Sequence, residues 1–284
     1  MTKFRAWRRR LRFGLPTVLG LSQKAFLIPY RYAGKVPPAA SRASYAPITA
    51  VFNRHRKRFI AYLNDMEGLR AELLAIGNLP APAPRWEQDW FPRLDGAAAY
   101  TMVRRHAPAR IVEVGSGHST RFFARAVQDG GLTTTIMAID PAPRAVLDGL
   151  NNVRIVHNTV QVAGIEPFVS LSAGDFVSID SSHILMPGSD VDFLFNHVLA
   201  SLPDGVFVHI HDVFLPDDYP TVWDWRGYNE QLGVSPLLTD GNWQPLFASH
   251  FVASYMASAL ADTVVWQLPL PAGAHESSLW LKKG

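Results

Sequence analysis

Apolar positions along this chain follow two different periods. From residue 110 onward, short apolar runs recur at Arg110–Val114, Thr134–Ile139, Val153–His157, Phe176–Asp180 and Gly205–His211. Runs of this length, bounded by glycine, proline or acids, read as strands buried on both faces. Between and beside them, Thr120–Asp129, Pro143–Leu150 and Val191–Leu202 carry helical spacing. Repeated strand–helix units predict a parallel sheet with helices on both faces. Farther on, Phe214–Pro220 reads as a loop and Trp223–Leu232 as a helix. Trp243–Ala253 and Ser278–Lys282 read as two strands that close the sheet.

Upstream, Asp95–His106 predicts a helix that follows the aromatic-rich Trp86–Pro92. Thr49–Ile76 predicts another, with Phe52, Phe59, Leu63, Leu69 and Leu73 near helical spacing. The proline-rich Asn78–Pro84 ends it, because proline cannot continue a helix. A boundary is therefore expected there, with a basic N-terminal arm and helix over 1–80 and an α/β domain over 81–284.

Charge sharpens that division. Residues 1–64 contain 14 Lys and Arg and no acid, and the first acid is Asp65. The other 220 residues carry the remaining 13 bases against all 24 acids, a net of −11. A basic arm ahead of an acidic domain suggests an anionic partner for the arm, a membrane surface or nucleic acid. The apolar stretch Phe13–Ile28 is broken by Pro16, Gln23 and Lys24, too short and interrupted for a span of about 20 residues. No small-residue cleavage pattern follows, so it is not read as a signal peptide. Residues 1–35 either pack on the domain, pack on a second subunit in a homo-oligomer, or lie on a membrane surface. The expected location is cytoplasmic, or peripheral at the membrane. The absence of cysteine excludes disulfides, thiolate nucleophiles and Cys-based metal centres.

The sharpest chemical signal is Arg110-Ile-Val-Glu-Val-Gly-Ser-Gly-His-Ser-Thr120. A buried strand ends in Glu113 and runs through Gly115-Ser116-Gly117-His118 into a helix. Glycines there let the backbone turn tightly and approach a ligand outside the carboxyl end of the strand. Thr120 stands where a dinucleotide fingerprint would have its third glycine, which argues against NAD or FAD. Asp140, ending the second strand, is placed to accept hydrogen bonds from ribose hydroxyls.

Glu113-Val-Gly-Ser-Gly followed by Ile139-Asp140 resembles the first two motifs of class I S-adenosylmethionine-dependent methyltransferases. Ile179-Asp180 and the strand 206–211 fall where that family has its fourth and fifth strands. The resemblance spans about residues 95–284. It implies a Rossmann-like seven-stranded sheet, mostly parallel, with a final antiparallel hairpin. It also implies that Glu113, Gly115, Ser116, Gly117 and His118 shape the cofactor's methionine site and that Asp140 holds its ribose. Adenine would lie near His157 to Gln161.

A third signal pairs Ile179-Asp-Ser-Ser-His183 with His209-Ile-His-Asp212. Both segments end core strands on the ligand edge, so Asp180, His183, His211 and Asp212 are expected to meet. Such oxygen and imidazole groups suit a divalent cation such as Mg, with Asp180, His211 and Asp212 as ligands. They equally suit a metal-free site in which His183 or His211 is a general base. The arrangement is similar to metal-dependent O-methyltransferases, which carry an Asp at the fourth strand end and an acidic pair after the fifth; Asp180 and Asp212 match, and His211 replaces the first acid of the pair. His209 reads as a core histidine. Tyr219, Trp225, Tyr228 and Glu230 are candidates for an acceptor pocket, with Trp223 packing the loop.

The leading expectation is O-methylation of a small-molecule, sugar or other glycan hydroxyl, with S-adenosyl-L-methionine as cofactor. An RNA or protein methyltransferase using the arm is the alternative. The net charge of −11 on the domain bearing the site disfavours nucleic acid. A non-catalytic binding protein on the same scaffold is the third reading, since fold alone does not fix function.

Overall fold

The computed structural model describes residues 3–284. Two compact units are distinguished: residues 1–43 with 218–228, and residues 44–217 with 229–284.

The larger unit is built on a seven-stranded sheet. Its elements are α2 (Ala46–Gly68), α3 (Arg70–Ala75), α4 (Arg93–His106), β1 (Arg110–Val114), α5 (His118–Asp129), β2 (Thr135–Ile139), β3 (Val153–Val156), α6 (Val160–Ala163), α7 (Glu166–Val169), β4 (Phe176–Ile179), α8 (Asp190–Phe193), β5 (Phe207–Ile210), α9 (Glu230–Leu237), β6 (Trp243–Ala248), α10 (Ser249–Tyr255), α11 (Ala257–Ala261) and β7 (Leu279–Lys283). The smaller unit contains α1 (Lys3–Val18).

The strand order is β3-β2-β1-β4-β5-β7-β6. The first five strands pair in parallel, and β7 runs antiparallel to both β5 and β6. The expected Rossmann-like sheet with a terminal hairpin is therefore present. Every residue of β4 and β5 is buried, as the near-continuous apolar runs require. The order reverses between β1 and β4, which leaves a crevice at their carboxyl ends, where open α/β sheets bind ligands.

Helix α2, which the proline-rich boundary at Asn78–Pro84 groups with the arm, falls in the larger unit. Its face of Ile48, Val51, Phe52, Phe59 and Leu63 is buried. Phe59 meets Phe247 of β6 edge-on, with ring centroids 6.0 Å apart. Burying a side chain of this size is worth about 1.5–3 kcal/mol, so the apolar face outweighs the pattern of surface charge. The proline-rich stretch after it is an internal loop, tied back by a hydrogen bond from Trp86 Nε1 to Leu73 O at 3.1 Å.

Three expected elements differ. Pro143–Leu150 is not helical, and its backbone carbonyl at Val146 instead accepts from the Arg121 guanidinium. Trp223–Leu232 divides into a short turn at Thr221–Trp223 and α9, which begins at Glu230. The run from Trp243 is a strand only to Ala248, and α10 follows. Val191–Leu202 is helical, with a wide π-type turn over Leu194–Leu199. Among the described residues no helix is long and apolar enough to cross a membrane.

Candidate active site

The crevice is shaped first by Gly115. It has φ +85°, a backbone conformation that side chains disfavour. A Cβ built there would lie 1.9 Å from the Asp180 carbonyl oxygen. Gly115 is therefore needed so that β1 and β4 can end side by side, where Asp180 N donates to Val114 O at 2.9 Å. Gly117 is different. A Cβ there would meet nothing within 4 Å, so its bareness leaves open space beside the loop.

Two acids hold this loop. Glu113 is fully buried and accepts from Ser119 Oγ at 2.5 Å and Thr120 Oγ1 at 2.6 Å. Thr120 Oγ1 in turn accepts from Gly117 N at 2.9 Å. Glu113 thus acts through the loop and the first turn of α5, with no surface of its own for a ligand. Burial pushes its carboxyl up to about 8, against the two hydroxyl donors that favour the charged form. Asp140 is partly exposed at the end of β2. Its Oδ2 accepts from Ser116 N at 2.9 Å and Ser116 Oγ at 2.8 Å, and its Oδ1 accepts from Ala142 N at 2.8 Å. A carboxylate has about four acceptor positions, so Asp140 retains capacity for a ribose hydroxyl. His118 begins α5 next to the open side of Gly117. Its Nδ1 is buried and has no hydrogen-bond partner among the described residues. Burial, with Arg121 and Arg85 nearby, lowers the imidazole to about 4, so it is neutral at physiological pH.

Across the crevice, Asp180, His183, His211 and Asp212 do meet. His183 Nε2 lies 3.5 Å from Asp180 Oδ1 and 3.4 Å from Asp212 Oδ2. His211 Nδ1 lies 3.5 Å from Asp180 Oδ1 and 3.6 Å from Asp212 Oδ1. The outer nitrogens are backed by acids as well. His183 Nδ1 bonds Glu230 Oε2 at 2.8 Å, and His211 Nε2 lies 3.4 Å from Asp95 Oδ2. Asp95 is fully buried and accepts from the backbone N–H groups of Ser277 and Ser278. Burial works against the charged imidazoles. For His183 the Asp212 charge and the bonds to Asp180 and Glu230 outweigh it, and for His211 the charges of Asp180 and Asp212 do, so both shift well upward. Burial would raise Asp180, but the His211 charge and its bonds to both histidines leave it strongly lowered.

One member of the group is open. The Asp180 side chain retains 33% of its accessible surface, against 5% for each histidine and 8% for Asp212. His183 and Asp212 also hold φ near +60°, two of the three described non-glycine residues with positive φ. Such strain costs of order 1–3 kcal/mol and clusters where function requires it.

Asp180, His211 and Asp212, the expected metal ligands, come together at the crevice. Among the described residues no group of three or more His, Asp or Glu side chains is arranged to hold a metal ion. His183 Nε2 and His211 Nδ1 face carboxylate oxygens at 3.4–3.6 Å.

His209 is a core residue as expected, bridging Ser178 Oγ and Ser278 Oγ at 2.9 Å each, and burial lowers it to about 3. Of the acceptor-pocket candidates, Glu230 is fully buried beneath His183. Tyr219, Trp223, Trp225 and Tyr228 belong to the smaller unit. There the Arg226 guanidinium lies 3.9 Å from the Trp223 ring centroid, 5.5 Å from that of Trp225 and 5.2 Å from that of Tyr228. Sequence reading missed Arg226 and Asp95, because neither sits in a recognisable motif. An arginine amid four aromatic residues is a usable signal for the first; nothing local marks the second.

Residues 112–213 match the model of a family described as a methyltransferase domain. No curated protein matches the chain. Among solved structures, an O-methyltransferase from Bacillus cereus in complex with SAH is 11% identical, over 79% of this chain and 91% of that one, with a TM-score of 0.43. The SAH-bound Podospora anserina methyltransferase PaMTH1 is 15% identical, over 92% and 99%, with a TM-score of 0.42. The SAM complex of TomG, an O-methyltransferase of tomaymycin synthesis from Streptomyces achromogenes, is 13% identical, over 78% and 89%, also at 0.42. Likenesses this distant leave the activity to be argued from the residues above.

Proposed function

We propose that this chain, which carries a methyltransferase domain across its central strands, uses S-adenosylmethionine to methylate a hydroxyl group of a small molecule or sugar. The observation that carries this reading is the open carboxylate of the His–Asp group, Asp180. Asp180 shares the crevice between β1 and β4 with the bare side of Gly117, and two imidazoles stand behind it.

The residues fit the cofactor. The space beside Gly117 and the unpartnered His118 Nδ1 suit its polar methionine end. Asp140 suits its ribose, and the carboxylates of Asp140 and Asp180 favour its positive charge. When bound, S-adenosylmethionine supplies an electrophilic methyl group on a sulfonium.

The protein's part is to place the acceptor. Asp180 Oδ accepts the hydrogen bond of the acceptor hydroxyl and so aims its oxygen. As that oxygen forms its bond to the methyl carbon, the C–S electron pair stays with sulfur and the hydroxyl proton passes to Asp180. A weak base is enough, because the hydroxyl becomes strongly acidic once the new C–O bond forms. His183 and His211 keep the carboxylate ionised and aligned, and its solvent-facing edge returns the proton to water. Positioning of this kind supplies much of the rate in such a displacement.

The test is transfer of an isotopically labelled methyl group from S-adenosylmethionine to a panel of hydroxyl compounds. Label is expected in an ether product, with Asp180→Asn slower by roughly 10²–10⁴-fold. Label appearing in RNA or in protein amines instead would overturn the assignment of the acceptor.

A further inference from the structure

The smaller unit has a surface that the methyl-transfer reading leaves unused. Helix α1 has 16 residues, so it is about 24 Å long, short of the roughly 30 Å of a bilayer core. Trp7, Leu11, Leu15 and Val18 follow one another at steps of four, four and three. They fall within about 80° of one another around a 3.6-residue helix. All four are exposed, at 57%, 42%, 51% and 61%. At about 100° per residue Arg10 and Arg12 lie about 100° to either side of the centre of this stripe, and Arg8 borders it.

The pattern continues past the helix. Gly20, at φ +67°, turns the chain, and Phe26-Leu27-Ile28 follows with 49%, 65% and 63% exposure. Tyr30 and Tyr32 are exposed beside it, and the charges of Arg31 and Lys35 lie over the Tyr32 ring at 5.5 and 5.8 Å. No acid occurs before Asp65.

We infer that residues 7–32 bind the surface of an anionic lipid membrane, with α1 lying in the interface and the stripe Trp7, Leu11, Leu15 and Val18 inserted among the acyl chains. A helix with a stripe of tryptophan and leucine flanked by arginines on both edges suits that boundary. Aromatic residues with a polar edge suit the headgroup level. Nine bases without one acid over residues 1–35 give the charge that anionic headgroups attract. A second copy of this chain could cover the stripe, but it would set α1's bases against those of the other arm, which is equally free of acids. Nucleic acid likewise accounts for the arginines and not for the leucines. The inference stands apart from the proposed reaction.

The full-length protein is mixed with vesicles of phosphatidylcholine alone, or of phosphatidylcholine and phosphatidylglycerol in equal parts, and sedimented. Wild type is expected to partition at least about tenfold more strongly onto the anionic vesicles, and to be released as salt screens the charges. Leu11→Ser with Leu15→Ser is expected to lose that binding while S-adenosylhomocysteine affinity stays unchanged, which shows the larger unit intact. Equal binding to both vesicle types, or a stripe variant that sediments like wild type, would overturn the inference. So would a stripe variant that turns a dimer into a monomer by light scattering when wild type ignores vesicles. Wild type that binds RNA in place of vesicles, whether or not the leucines are changed, would overturn it as well.

Discussion

His183 and Glu230 are joined Nδ1 to Oε2 at 2.8 Å, in a setting where Glu230 is wholly buried and His183 almost so. The bond turns the other ring nitrogen toward Asp180, the open member of the group. His183 and Glu230 are bonded a second way, because the His183 carbonyl accepts from the N–H groups of Asn229 and Glu230. The start of α9 is thereby fixed to the end of β4, and the loop after β4 is set by residues nearly 50 positions away.

Glu230→Gln is expected to act as a positioning change. The amide still reaches Nδ1 but no longer balances its charge. We expect kcat to fall roughly 10–100-fold, with S-adenosylhomocysteine affinity unchanged. Glu230→Asp, which keeps the charge on a shorter chain, should recover part of that loss. Steady-state kinetics combined with calorimetry checks both.

The two loop glycines should separate stability from binding. Gly115→Ala puts a methyl 1.9 Å from the Asp180 carbonyl in a left-handed conformation, and should cost about 1–3 kcal/mol or prevent folding. Gly117→Ala meets no protein atom within 4 Å. Its effect on denaturant midpoint should be small, about 0.5 kcal/mol, while cofactor affinity falls at least tenfold, about 1.4 kcal/mol. Urea unfolding and calorimetry on the two variants provide the comparison.

Glu113 predicts a specific pH dependence of stability. Its folded value of about 8 lies above the unfolded value of 4.5, so the native state binds the extra proton between those pH values. Its contribution is complete below pH 4.5 and declines as pH rises through about 8, with a slope of at most about 1.4 kcal/mol per pH unit. Glu113→Gln should flatten this decline, measured as urea midpoints across that range. An unchanged slope would contradict the assignment.

Asp217 predicts the opposite behaviour in acid. His250 Nε2 at 2.8 Å bonds it, and Tyr255 Oη at 2.7 Å and the Ser44 hydroxyl donate to it. Chiefly through His250, and against burial, its carboxyl is lowered to about 2. Its contribution is present above the ordinary value of 3.8 and is lost as pH falls through about 2. Asp217→Asn should remove that acid-sensitive step from the thermal midpoint measured across this window.

Much of the sheet could be read from residues alone, because strands buried on both faces write themselves as apolar runs, and β1, β2, β4 and β5 did so. The loop 115–118, Asp140 and the Asp180–Asp212 group were legible for a related reason: each directly follows such a strand. Helix α2 groups with the arm in sequence because the proline-rich Asn78–Pro84 follows it, whereas its partner β6 lies some 190 residues away. Pro143–Leu150 has helical spacing, but its Val146 carbonyl is taken by Arg121 and Leu147 is buried from a non-helical backbone. Asp95 and Glu230 were invisible as partners of His211 and His183, since only tertiary packing brings them there. Glu113, expected among the cofactor-site residues, is buried and reaches the loop through Ser119 and Thr120.

The most direct test of the central claim is calorimetric titration of the purified protein with S-adenosylhomocysteine, alongside Asp140→Ala and Asp180→Asn. The account predicts micromolar binding by wild type, a loss of at least about tenfold in Asp140→Ala, or 1.4 kcal/mol, and near-normal binding in Asp180→Asn. Folded wild-type protein that binds neither this ligand nor S-adenosylmethionine would contradict it.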